Sequence, residues 1–247
     1  MDTWKYYAIT HRDHVVCNPL SVAKLDEMIG LLDLPRGARV LDIACGKGEF
    51  LVRLVERYGV RGVGVDLSPH FVRDVRSLAE ARVPGADLQL LEMDGAAYAC
   101  EPGSFDLASC IGATWTFGGH RGTLQALARF VAPGGQVLVG EALWRKEPDP
   151  AYLEWSGMRR EEFATHRENV EAGVTEGLVP LYALASSEDD FDRYEALQWR
   201  AAERYAREHP EDPDVPALLE RVGRSRHEHL AWGRDTIGWS LYLFRRP

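Results

Sequence analysis

The stretch "VLDIACGKGEF", residues 40–50, carries the clearest structural signal of this sequence. Four of its first five residues are apolar, which is typical of a strand buried on both faces. Gly46 and Gly48 then allow a tight turn, and an amphipathic helix follows with Phe50, Leu51 and Leu54 on one side. A glycine turn between strand and helix lets the backbone approach a bound cofactor closely. We therefore predict a cofactor site at this glycine turn.

Strands and helices continue to alternate along the chain. Further strands are predicted in "VRGVGVDLS", "ADLQLLEMD", "SFDLASCIG" and "QVLVGEA". Asn18-Pro19 is expected to open a helix before the first strand, and Ser68-Pro69 one after the second. This alternation predicts a parallel sheet with helices on both faces. Two later strands, "GLVPLYALASS" and "TIGWSLYLFRR", are separated by a predicted helical insertion.

Composition and charge argue against several classes of protein. The net charge of −9, without a long basic run, disfavours a nucleic-acid partner. No apolar run approaches the about 20 residues that span a bilayer, and the first residues lack the pattern of a signal peptide. The four cysteines form no Cys-x-x-Cys pair, and His11, His14 and His120 lack metal-ligand spacing. We expect a cytoplasmic protein with reduced cysteines and no metal.

The glycine turn is compatible with more than one nucleotide cofactor. A dinucleotide fold favours a third glycine three residues after Gly48, where this chain has the bulky Leu51. No Walker loop is present. Asp66 ends the second strand, 20 residues after Gly46, where a carboxylate can accept hydrogen bonds from both ribose hydroxyls. Asp94 ends the third strand and could accept a hydrogen bond from an adenine amine.

These motifs together resemble a known family. "VLDIACGKGEF", "GVGVDLS", "LEMDGAAY", "FDLASCIGAT" and "APGGQVLVGE" are similar to the successive motifs of class I S-adenosylmethionine-dependent methyltransferases. The resemblance implies a doubly wound, seven-stranded Rossmann-like sheet whose last strand is antiparallel. It also implies an N-terminal helical flap, a helical insertion between the last two strands, and S-adenosylmethionine as the cofactor.

The resemblance assigns cofactor contacts residue by residue. The methionine portion would contact Asp42 and the backbone around Ala44, Gly46 and Gly48, with its amine at the backbone of Cys110 and Ile111. Asp66 would bind the ribose, Leu67 would pack on the adenine, and Asp94 and Gly95 would bind the adenine edge.

Segments outside the core, such as "HRDHVVCNPLS" and "DRYEALQW", narrow the similarity to a little-characterised group of bacterial small-molecule-type methyltransferases with an Escherichia coli member. The function predicted is methyl transfer to a small molecule by in-line displacement. A protein or RNA methyltransferase and a non-catalytic S-adenosylmethionine-binding module are the alternatives. "CIGA" replaces the Asp/Asn-Pro-Pro-Tyr/Phe box of many amino methyltransferases, which disfavours amide or base nitrogens as acceptors.

Catalytic and substrate-binding residues follow from position. A general base is needed only when the acceptor is protonated, and His120 and Glu141 are the candidates. His14, Trp115, Trp144 and Tyr194 are predicted to contact the substrate. We expect one domain over residues 1–247, with a cap at 1–37, a cofactor core at 38–142, and substrate-side helices and two strands at 143–247. A monomer or a homodimer is expected.

Overall fold

Seven strands form one mixed sheet in the computed structural model, which describes residues 1–247. The strands are β1 Arg39–Ile43, β2 Arg61–Asp66, β3 Leu88–Glu92, β4 Phe105–Ile111, β5 Val131–Trp144, β6 Val179–Ala185 and β7 Ile237–Arg245. Their order is β3-β2-β1-β4-β5-β7-β6, and β7 runs antiparallel to both of its neighbours. The predicted doubly wound sheet with a reversed last strand is therefore confirmed.

Helices cover both faces of this sheet. They are α1 Thr3–Thr10, α2 Val22–Gly30, α3 Glu49–Tyr58, α4 Pro69–Arg82, α5 His120–Phe130, α6 Pro150–Ser156, α7 His166–Thr175, α8 Glu188–Glu208 and α9 Val215–Glu228. α2, α3 and α4 lie on one face, and α5 and α7 lie on the other. Val40 and Leu41 are fully buried in the two opposite cores, as expected for a strand covered on both faces. No helix has the length and apolar character needed to cross a membrane.

Two helix starts show where local sequence predicts structure and where it does not. Ser68 caps α4 as expected, with its hydroxyl accepting a hydrogen bond from Phe71 N at 3.4 Å. The prediction that Asn18 opens α2 was wrong, because Ser21 is the cap and accepts from Lys24 N at 3.3 Å. Asn18 instead donates its Nδ2 to the carbonyl oxygen of Ile111, at the end of β4.

A second layer, which we call the roof, consists of α1, the segment 11–18, α8 and α9. The sequence pattern did not predict α1, which precedes the helix expected after Pro19. His11 and His14 follow the end of α1 directly. Tyr6 and Ile9 of α1 are buried against Ala202 and Leu218 of the insertion helices. The N-terminus and the insertion before β7 therefore form one packed unit.

Candidate active site

The glycine turn, residues 44–48, follows β1 at the carboxyl edge of the sheet. Ala44 has φ of +56°, the one positive φ among the non-glycine residues, and Gly46 and Gly48 have φ of +56° and +79°. A Cβ at Gly46 would meet no atom within 4 Å, whereas a Cβ at Gly48 would lie 2.0 Å from Val75 Cγ2. The turn is therefore open toward a ligand at Gly46 and packed against α4 at Gly48.

Asp66 fixes the turn to the end of β2. Its Oδ2 accepts a hydrogen bond from Gly46 N at 2.8 Å, and its Oδ1 accepts one from Ser68 N at 2.8 Å. The side chain is buried, which raises its pKa above the usual value. Leu67, the next residue, is 51% exposed despite being apolar. A rigid carboxylate beside a free apolar surface fits a nucleoside with its ribose on Asp66.

Asp42 lies near the carboxyl end of β1, two residues before the turn. Ser109 of β4 donates its hydroxyl to Asp42 Oδ1 at 2.7 Å. Burial raises the pKa of Asp42 to about 7, although the hydrogen bond from Ser109 opposes this shift. The carboxyl group is therefore held in place by two adjacent strands.

The remaining predicted cofactor residues lie along the same edge. Asp94 is exposed after β3, and its Oδ1 accepts a hydrogen bond from Ala96 N at 2.9 Å. Gly95 is buried, and a Cβ there would lie 2.6 Å from Ile43 Cγ2, so a larger residue would require the Ile43 side chain to move. Cys110, fully buried, and Ile111 end β4. The carboxyl ends of β1, β2, β3 and β4 thus form one continuous candidate site.

Lys47, which the sequence did not single out, joins the glycine turn to the roof. Its ammonium group donates to the carbonyl oxygens of His11 at 2.7 Å, Arg12 at 3.2 Å and His14 at 3.1 Å. The position of Lys47, as a charged residue between Gly46 and Gly48, was the only feature of the sequence that could have drawn attention to it. Its role could not be inferred because its partners are backbone atoms more than 30 residues away in the chain.

His11, His14 and Tyr194 form a buried polar cluster in the roof. His11 Nε2 lies 2.9 Å from the Tyr194 hydroxyl, and His14 Nε2 donates to the Tyr194 carbonyl oxygen at 2.9 Å. Burial lowers the pKa of both histidines, that of His11 to about 3. His14 Nδ1 is buried without a hydrogen-bond partner. Since Nε2 carries the proton, Nδ1 presents a free lone pair.

Glu141 lies in β5, and Trp115 lies in the loop that joins β4 to α5. Glu141 is buried in β5, where its Oε1 accepts a hydrogen bond from Ala142 N at 2.9 Å and Thr114 lies beside its carboxylate. Burial raises the pKa of Glu141. Trp115 follows Thr114 and is 76% exposed. A buried carboxylate and an exposed indole therefore lie near the same loop after β4.

His120 and Trp144 make contacts of a different kind. His120 Nε2 donates to the carbonyl oxygen of Asn169 at 3.0 Å, and its ring packs on Tyr242 between α5 and α7. Trp144 is buried, and its Nε1 donates to the Arg160 carbonyl oxygen at 2.9 Å. These contacts favour a packing role for both residues.

Comparison with known proteins agrees with this geometry. A family model described as "Methyltransferase domain" matches residues 40–135. The crystal structure of a SAM-dependent methyltransferase from Thiobacillus denitrificans in complex with S-adenosyl-L-homocysteine is 30% identical, covers both chains completely and has a TM-score of 0.91. Uncharacterized protein YjhP of Escherichia coli is 27% identical over 98% of each chain. The 27-O-demethylrifamycin SV methyltransferase of Amycolatopsis mediterranei is 25% identical over 90% of this chain and 82% of its own.

The match to a protein crystallised with S-adenosyl-L-homocysteine extends over the full length of both chains. S-adenosylmethionine is the cofactor of this chain. The chain belongs to the class I S-adenosylmethionine-dependent methyltransferases.

Proposed function

We propose that the enzyme transfers the methyl group to a small-molecule acceptor by in-line displacement. The observation that carries this proposal is the attachment of the roof to the cofactor turn. Lys47 connects the turn to the backbone of residues 11–14, and Tyr194 of α8 bonds to both histidines of that segment. A covered site excludes water and suits a small acceptor better than a folded protein or an RNA. The name of the rifamycin relative refers to a small-molecule acceptor and supports the same conclusion.

We assign the cofactor contacts as the sequence predicted them. Asp66 would bind the ribose hydroxyls, Leu67 would pack on the adenine, and Asp94 with Gly95 would bind the adenine edge. Asp42, with the backbone around Ala44, Gly46 and Gly48, would hold the methionine portion, and the backbone of Cys110 and Ile111 its amine. When bound, S-adenosylmethionine supplies an electrophilic methyl group, so the chain mainly orients the acceptor and excludes water.

For the acceptor side we propose contacts from Glu141, His14 and Tyr194. The Glu141 carboxylate could take a proton from the acceptor, because burial raises its pKa and makes it a stronger base, or it could bind a cationic acceptor. His14 Nδ1 could accept a hydrogen bond from an acceptor hydroxyl or amine. An unpartnered buried acceptor atom costs about 1–3 kcal/mol, which such a ligand would offset. Trp115 would flank the acceptor, and His120 and Trp144 would support the surrounding helices.

The domain division is part of the same proposal. The core at residues 38–142 would bind the cofactor. The cap at residues 1–37 and the segment at residues 143–247 would enclose and select the acceptor. Lys47 would hold the cap on the core through its contacts with the backbone of residues 11–14.

A labelling experiment tests the proposed acceptor class. The full chain is incubated with S-adenosylmethionine carrying a radioactive methyl group and with a bacterial extract divided by size. We expect label in the fraction of small molecules and none in precipitated protein or RNA. Label that enters protein or RNA instead would contradict the proposal, and heat-treated enzyme controls for non-enzymatic transfer.

A further inference from the structure

A cavity of about 570 Å³ lies between the roof and α6. α1 contributes Tyr6 and Tyr7, α6 contributes Trp155, and α9 contributes Arg221, Arg224 and Glu228. None of the residues assigned to the cofactor or to the methyl acceptor lines this cavity. Its size is within the range of small-molecule sites. The cavity is therefore distinct from the site at the carboxyl edge of the sheet.

Two arginines with free hydrogen-bond donors face this cavity. The Arg221 guanidinium carbon lies 3.7 Å from the centre of the Tyr6 ring, and that of Arg224 lies 5.1 Å from the Trp155 ring. Stacking on an aromatic face orients a guanidinium group and leaves its N–H edge free. Neither forms a salt bridge within the chain, so both remain available to an anionic group of a ligand.

Carboxyl groups occupy the inner side of the same cavity. Glu228, which is half-buried, and Glu220 line it. Glu195 lies beside the lining residue Ser225, and its Oε2 is buried without a hydrogen-bond partner. Burial, with a smaller contribution from the nearby Glu228, raises the pKa of Glu195 to about 7. A cationic group of a ligand would interact favourably with the carboxylate of Glu228.

We propose that the cavity binds a small molecule of the amino-acid type, with a carboxylate on Arg221 and Arg224 and an ammonium group toward Glu228. The ring edges of Tyr6, Tyr7 and Trp155 would contact its apolar body. Both charges are required, because an anion alone would meet Glu228 and a cation alone would meet the arginines. This second site does not depend on the identity of the methyl acceptor.

Calorimetry on the full chain tests the requirement for both charges. The probes are L-phenylalanine and L-leucine, with 3-phenylpropanoate and 2-phenylethylamine as analogues that lack one charge. We expect at least one amino acid to bind about tenfold or more tightly than both analogues, as one lost charged hydrogen bond predicts. Binding of neither amino acid, or equal affinity for the single-charge analogues, would overturn the proposal.

Variants and competition locate the binding. Arg224→Gln and Glu228→Gln should each weaken amino-acid binding about tenfold. Arg226→Gln, on the same helix but outside the cavity, should change it less than twofold. All three should retain S-adenosyl-L-homocysteine binding, which verifies folding. Saturating S-adenosyl-L-homocysteine should leave amino-acid binding unchanged. Abolition by that ligand, or equal effects of the three variants, would place the amino acid elsewhere and refute the cavity.

Discussion

The glycine turn and the roof above it are stabilised in different ways. The turn is fixed by neighbours in the sheet, such as the Asp66 carboxylate on Gly46 N, and by backbone φ angles that glycine allows. The roof is held by side chains from distant parts of the sequence, such as His11 on Tyr194 and Lys5 on Asp212. A cofactor site built from local backbone geometry can be kept while the roof changes. We infer that cofactor binding and acceptor selection respond to different substitutions.

The largest effect on cofactor binding is expected from Asp66→Ala. The substitution removes a carboxylate that orients the turn and, in our proposal, binds the ribose. We expect the Kd for S-adenosyl-L-homocysteine to rise about 100-fold, equivalent to about 2.7 kcal/mol, measured by calorimetry. Asp87→Ala, an exposed aspartate just before β3, is the matched control and should bind normally. Normal binding by a folded Asp66→Ala variant would refute the ribose assignment.

Within the turn, alanine substitutions at Gly46 and Gly48 should lower the free energy of unfolding by different amounts. Gly48→Ala combines a positive φ with a Cβ 2.0 Å from Val75 Cγ2, and should lower the free energy of unfolding by about 3 kcal/mol. Gly46→Ala also places alanine at a positive φ, but its Cβ would meet no atom within 4 Å. We therefore expect this substitution to lower the free energy of unfolding by about 1 kcal/mol. Urea unfolding measures both. Equal losses would mean that backbone conformation alone, and not the contact with α4, requires glycine at position 48.

The same difference between local and distant contacts explains which structural elements could be predicted from the sequence and which could not. The strands and the glycine turn were predictable because apolar runs and glycine positions carry that information locally. α1 was not, because "TWKYYAIT" shows no apolar face of its own, and Tyr6 and Ile9 are buried only by α8 and α9. The cap at Asn18 was also missed, since the side chain of Asn18 contacts β4. His120 and Trp144 face partners that become neighbours only in the folded chain.

His120 should make the free energy of unfolding depend on pH. Burial lowers the pKa of His120 to about 4, so the unfolded chain binds a proton more readily below pH 6.5. Stability is therefore lost as the pH falls, by about 2 kcal/mol between pH 7.5 and pH 5 from this residue. His120→Gln should reduce the loss by that amount in urea unfolding at the two pH values. An unchanged loss would indicate that the His120 ring is solvated and accepts a proton in the folded enzyme.

Lys47 lies in the glycine turn and donates hydrogen bonds to the roof. Lys47→Met should remove this connection between the turn and the roof. The variant loses three hydrogen bonds to the backbone of residues 11–14 but keeps the φ angles of the turn. We expect faster amide exchange in residues 3–14 and in α8, and a loss of stability of about 1–2 kcal/mol. The Kd for S-adenosyl-L-homocysteine should change less than about threefold, since Asp66 still holds the turn.

Lys146→Met provides the control, because Lys146 is exposed and lies outside the roof. If Lys47→Met weakens cofactor binding as much as Asp66→Ala does, the roof and the turn act as one unit, and their proposed independence is wrong. If exchange in α8 is unchanged, the Lys47 contact does not hold the roof closed. The two readouts therefore decide separately whether the roof covers the site and whether the cofactor depends on it.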